Sequence, residues 1–196
     1  MGMNLKFKEN LSVLEYYDTI KKYMTPKRFS HTLGVVRTGN ELARIHGESM
    51  EKAQLAGAFH DLCRDWSLEK LNESIIKFGL DSTYLNDAGL SHSKVAAELL
   101  NSLFGIDDID IKNAVKYHTT ARKGMSKLEK IIFVSDAIEP SRNYKRVEYL
   151  RNIAKTNLDL ACLYTLEDTL EYLKKENKAI HKDTYLAYEE LKAQLS

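Results

Sequence analysis

Apolar positions along this chain recur at three- and four-residue intervals almost from end to end, the period of an amphipathic helix. Short β-branched runs between turn clusters, the mark of strands, are nearly absent. The pattern predicts a first helix over about 11–23, ended before Pro26. A second runs about 28–46, with Phe29, Leu33, Val36, Leu42 and Ile45 apolar and Gly47 as its stop. A third spans about 51–63 and buries Ala53, Leu55, Ala56 and Phe59. Ser67 caps a fourth, SLEKLNESIIKF, which closes at Gly79. A polar connector over 81–90 leads into SHSKVAAELLNSLFG, ended by Gly105. The next helix runs from about Asp107 to His118, with Asp107, Asp108 and Asp110 at its positive N-terminal end. Ser126 and Glu129 form a capping box for SKLEKIIFVSDAI, which Pro140 stops. Two or three more helices cover about 146–195. The expected fold is all-α, one compact helical bundle without repeats or linkers.

Composition narrows the partners. The 196 residues carry 29 basic and 28 acidic side chains, a net charge of +1. So even a balance exerts no general pull on nucleic acid or anionic lipid, and any polyanion must be met by a local cluster. The stretch MGMNLKFKEN has no apolar run of signal-peptide length, and no run approaches the ~18 apolar residues of a membrane span. The two cysteines, Cys63 and Cys162, lack a CxxC spacing and read as small buried thiols. A cytoplasmic protein with a small-molecule partner, and neither nucleic acid nor membrane, is the expectation. Oligomeric state is left open, a homodimer included.

The histidines carry the chemistry. Six occur, and each alone reads as a surface or satisfied core residue. His46, beside Gly47, suits a helix end; Trp66, the single tryptophan, suits packing of its loop onto the bundle. His60-Asp61 differs because it ends an apolar segment, AQLAGAFHDL, and offers imidazole with carboxylate, a donor set for iron, manganese or zinc rather than calcium. Asp136 sits in a segment too apolar for an unpaired carboxylate, so it either pairs with an arginine or binds metal. His31 completes an order of His, His-Asp and Asp along a helical chain, the pattern of HD domains. Each ligand segment also has an arginine near it. Arg28 precedes His31 by about one turn, Arg64 follows Asp61 by the same interval, and Arg142 lies just past Pro140. Guanidinium groups grip phosphate oxygens in pairs, which points to a phosphorylated substrate.

The segments RFSHTLGV (28–35), LAGAFHDLCRD (55–65), SHSKVAA (91–97), YHTTARKGMSKLEKIIFVSDAIEPSR (117–142) and AIHKDT (179–184) are more specific. With them the chain resembles the bacterial HD-domain symmetrical bis(5'-nucleosyl)-tetraphosphatases, the YqeK-type family, from about residue 14 to 188. The resemblance implies a single HD-type phosphohydrolase domain over 1–196. It implies metal ligands at His31, His60, Asp61 and Asp136, holding one iron ion or two, with manganese or another divalent metal as substitute. Nucleotide contacts carry over to Arg28, Arg64, His92, His118, Thr119, Asp136 and Arg142, and to Ala179, Ile180, His181, Lys182, Asp183 and Thr184. Asp61, Arg64 and His118 are the catalytic expectation, with a metal-bound hydroxide attacking a central phosphorus of diadenosine tetraphosphate to give two ADP. His92 and His118 fit either a second metal or direct phosphate contact, and His118 could serve as general acid. Ala121 stands where the family commonly has glycine. Rival readings are an HD phosphohydrolase of another nucleotide, a nucleotide-binding module without turnover, and a diiron oxygenase; the arginines weigh against the last.

Overall fold

A computed structural model describes residues 13–196, so the N-terminal decapeptide and the first two residues of the expected opening helix lie outside the described residues. Among the described residues there are ten α-helices and no strand: α1 (Val13–Ile20), α2 (Pro26–His46), α3 (Met50–Phe59), α4 (Leu68–Lys77), α5 (Ala88–Phe104), α6 (Ile109–Tyr117), α7 (Lys127–Ile138), α8 (Val147–Ala154), α9 (Leu158–Lys175) and α10 (Lys182–Gln194). The all-α expectation holds, and the segment 146–195 resolves into three helices. None of the ten is long and apolar enough to cross a membrane.

Several boundaries differ from the periodicity, each for a local reason. Pro26 opens α2 instead of merely closing what precedes it. Thr25 accepts a hydrogen bond from the Arg28 amide at 3.2 Å, and Pro26 takes the first helical position, where its missing N–H has no partner to lose. α5 starts three residues early because the Asp87 side chain accepts from the Leu90 amide at 3.1 Å. α7 has the expected capping box, Ser126 and Glu129 each closing on the other's backbone amide. α3 stops at Phe59, not 63, and the chain leaves it through successive turns over 60–65. That early stop puts His60 and Asp61 at a helix end, where side chains can turn toward a common point.

α2 packs on α3 and α7, α6 packs on α3, α5 and α7, and α9 supports α7, α8 and α10. Phe59 is fully buried, with its ring centre 4.6 Å from Phe104 and 5.5 Å from Tyr16. Burying such a side chain contributes roughly 1.5–3 kcal/mol. The inner face of α2 is Thr32, Val35, Val36, Gly39, Leu42 and Ala43, whereas Leu33 and Ile45 face solvent. Apolar character alone thus does not mark the buried face of α2, because small residues that permit close approach occupy part of it. A close backbone approach occurs at Gly57 of α3. A Cβ there would lie 3.3 Å from Val36 Cα, so glycine lets α3 lie against the α2 backbone, and His60 reaches His31.

Candidate metal centre

The C-terminal end of α3, the N-terminal half of α2, α5, the end of α6 and α7 converge on one cluster. His31 Nε2 is 3.3 Å from His60 Nε2, 3.1 Å from Asp136 Oδ1 and 3.7 Å from Asp61 Oδ2. His60 Nε2 is 3.4 Å from the same Asp61 oxygen. The other oxygen of Asp61 faces away from this group, 3.2 Å from His92 Nε2 and 3.5 Å from His118 Nε2, which are themselves 3.2 Å apart. Two donors about 2.1 Å from a shared ion lie roughly 3.0–3.4 Å apart at octahedral or tetrahedral angles. Five of the spacings, 3.1–3.4 Å, fall in that range and the two others, 3.5 and 3.7 Å, lie just above it; the mixed imidazole and carboxylate donors fit a divalent transition metal. The sequence-predicted ligands are brought together, and Asp61 spans two donor sets.

Ring orientation supports the same conclusion. The Nδ1 atoms of His60, His92 and His118 lie 2.7, 3.0 and 2.8 Å from the carbonyls of Gly57, Ala88 and Val115. Carbonyls accept only, so each Nδ1 carries the proton, and in its neutral form each ring presents the Nε2 lone pair inward. Lone pairs aimed at one another at these distances repel unless a cation lies between them. His31 Nδ1 faces a carboxylate instead, Glu139 Oε1, at 3.1 Å. Glu139 is buried and also accepts from the Ser141 amide at 2.8 Å and from the Ser141 hydroxyl. Gly34, one turn after His31, makes room for it: a Cβ there would overlap Glu139 Oε2 and sit 3.2 Å from Cδ. Neither Glu139 nor Gly34 was singled out from sequence, since nothing local says that residue 139 meets residue 31.

Burial opposes charge on all of these groups. At Asp61 it is outweighed by positive charge at His60 and by the imidazoles of His118, His60 and His92 packed around it, so the carboxyl stays well below its ordinary range. At Asp136 burial yields to the His31 hydrogen bond and the charges of His60 and Arg142, with the same result. His60 is pushed down by burial but held above its ordinary value by Asp61. His118 goes the other way: burial dominates and lowers it. A neutral His118 suits a ligand better than the general acid suggested by its position in the sequence.

A cavity of about 640 Å³ opens beside the cluster, walled by Asp61, Asp136, Arg28, Arg64, Arg142 and His92. His118, Thr119, Ala179, His181 and Thr184 also line it. Ile180, Lys182 and Asp183 do not line it, although their neighbours do; Lys182 and Asp183 begin α10, and the Asp183 amide bonds His181 Nδ1 at 3.2 Å. Arg28 Nη1 is 2.7 Å from Asp61 Oδ2, and Arg142 Nη2 is 2.6 Å from Asp136 Oδ1, so Asp136 has both the arginine and the cluster as neighbours. Arg64 makes only a long contact, 3.4 Å, to the Ala88 carbonyl. His46, by contrast, is remote and bonds the Ala154 carbonyl at 2.7 Å, while Trp66 packs against the core and Cys63 is buried.

Lys94 is a further residue that periodicity could not flag. It is fully buried, donates to the Lys116 carbonyl at 2.8 Å, and lies 4.4 and 5.3 Å from the ring centres of Tyr117 and Tyr84. Tyr84 in turn stacks on His181, 5.7 Å between ring centres. Ala121, the departure from glycine noted above, has φ 55°, the left-handed conformation that glycine adopts without steric cost.

Residues 28–141 match the HD domain family. The chain is 36% identical over 170 residues to a protein of Bacillus subtilis (strain 168) named symmetrical bis(5'-nucleosyl)-tetraphosphatase, covering 86% of this chain and 91% of that one. It is 38% identical over 180 residues to a Halalkalibacterium halodurans protein of the same name, covering 88% and 92%. A solved structure described as a predicted HD superfamily hydrolase involved in NAD metabolism, from Clostridium acetobutylicum, superposes with a TM-score of 0.89 at 34% identity, covering 94% of this chain and 98% of that one.

Proposed function

The chain belongs to the HD-domain family of symmetrical bis(5'-nucleosyl)-tetraphosphatases, and on that footing we propose that it hydrolyses diadenosine tetraphosphate at the central anhydride to give two ADP. The observation that carries this reading is the ring of arginines around the carboxylates: Arg28 on Asp61, Arg142 on Asp136, and Arg64 on the cavity wall. His31, His60, Asp61 and Asp136 are the residues that would hold the metal, with iron as the native ion and manganese as a substitute. The second oxygen of Asp61, with His92 and His118, supports a second ion beside the first. When bound, the metal supplies Lewis acidity to water and to a phosphoryl oxygen.

The protein's own groups do the rest. Asp61, an anion at neutral pH, orients the attacking water by accepting its hydrogen bond. Arg142 uses Nε and Nη2 on the Asp136 carbonyl and carboxylate, which leaves its remaining N–H donors for phosphate oxygens. Arg64, with its weak protein contact, neutralises charge developing on the departing ADP. Thr119, His181 and Thr184, which line the cavity, position the nucleotide in it. Chromatography of products from diadenosine tetraphosphate, with metal analysis of the isolated protein, tests the proposal. Two equivalents of ADP are expected, and Asp61→Ala should lose both metal and turnover; ATP with AMP, or nucleotide binding without hydrolysis, would overturn it.

A further inference from the structure

A substrate with two equal halves needs room for both. The 640 Å³ cavity accounts for one nucleotide. A second cavity, of about 760 Å³, opens between the start of α2 and the turn after α7, with His31 of the cluster in its wall. The two share Arg28 and Arg142 as a common wall. Those arginines pair with Asp61 and Asp136, so the cluster lies at the junction of the two cavities.

We propose that this second cavity, lined by Lys27, Ser30, Asn143 and Tyr144, is the subsite for the distal ADP moiety of the dinucleoside polyphosphate. The inference rests on the dinucleoside reading above. Its lining has the chemistry of a nucleoside diphosphate site. Lys27 adds a cation beside Arg28 and Arg142 for the distal phosphates, and it makes no ion pair among the described residues. Tyr144 offers an exposed ring, anchored at its far end because its hydroxyl donates to the Ala137 carbonyl at 3.0 Å. Anchoring one edge of a ring that is only partly covered, 37% exposed, makes a platform on which a base can stack. Ser30 and Asn143 supply hydroxyl and amide groups for ribose or base. With a nucleotide in each cavity, the central anhydride falls at the cluster, which accounts for cleavage in the middle.

Kinetics of Tyr144→Ala, Tyr144→Phe and Lys27→Glu test it. A stacked base lost from the platform should raise KM for diadenosine tetraphosphate about tenfold. The turnover number and the metal content should stay near wild type, because the cluster is untouched. Tyr144→Phe keeps the ring and should restore KM. Lys27→Glu, on a different element, should raise KM even if Tyr144→Ala folds poorly. Unchanged KM in Tyr144→Ala and Lys27→Glu, from a wild type that does release two ADP, would overturn the subsite alone. So would a KM rise that Tyr144→Phe shares in full, or one accompanied by loss of metal. A wild type that releases no ADP would instead sink the dinucleoside reading and this inference with it.

Discussion

Gly34→Ala should cost the protein its metal without touching a ligand. The added Cβ would overlap Glu139 Oε2 and lie 3.4 Å from Glu139 Cβ. A free glutamate could swing away at little cost, but this one is not free. It accepts from the Ser141 amide at 2.8 Å and the Ser141 hydroxyl, and it faces His31 Nδ1 at 3.1 Å. Its buried carboxyl is held below its ordinary value because burial is outweighed by the bonds from Ser141 and His31, so it is an anion. Displacing it leaves His31 without the acceptor that fixes its tautomer and ring angle. Overpacking of this kind costs about 1–3 kcal/mol of stability. Loss of the partner behind a metal-binding histidine weakens metal affinity by about 10–100-fold, or about 1.4–2.8 kcal/mol. Competition against a chelator of known affinity measures the second quantity, and urea unfolding of the metal-free protein measures the first. Glu139→Gln, which removes the charge but not the volume, should show the affinity loss with a smaller stability loss. Metal affinity within about threefold of wild type in both variants would refute the reasoning, since then neither the space at Gly34 nor the carboxylate behind His31 matters.

Two other predictions follow from named contacts. Arg142→Lys replaces a guanidinium that reaches both the Asp136 carbonyl, at 2.8 Å, and its carboxylate, at 2.6 Å; kcat/KM should fall by about 10–100-fold in steady-state assays, and near-normal activity would deny a two-pronged role. Burial pushes Lys94 from an ordinary 10.5 down to about 8, so between those values the unfolded chain holds a proton that the folded protein has lost. Stability should therefore rise with pH across that window, by roughly 3 kcal/mol at most, and Lys94→Met should flatten the slope in urea unfolding at pH 7.5 and 9.5.

Much of the site was legible because its pieces are local. His60 and Asp61 are neighbours in sequence, and Arg28 precedes His31 by one helical turn, so their proximity needs only the helix period. The capping box at Ser126 and the stop at Gly47 are likewise decided within four residues. Elsewhere packing decided what local signals left open. Leu33 and Ile45 are apolar yet exposed, because Gly39 and Thr32 lie on the face that meets α3 and α7. For His118 the sequence left ligand, phosphate contact and general acid open, and its burial and Val115 bond, which bear on that choice, come from packing.

By itself the sequence determined an all-helical chain, its helix caps, four metal-ligand candidates in order and an arginine near each. Those properties depend on periodicity, capping and spacing, which act over a turn or two of helix. Only the tertiary structure decided that the two oxygens of Asp61 serve two donor sets, that Glu139 stands behind His31, and that two cavities meet at Arg28 and Arg142. Each of these joins residues far apart along the chain, 108 positions in the case of His31 and Glu139. They follow from how closely helices can approach, and at Gly57 and Gly34 that is set by a missing side chain whose consequence appears only when its neighbour is in place.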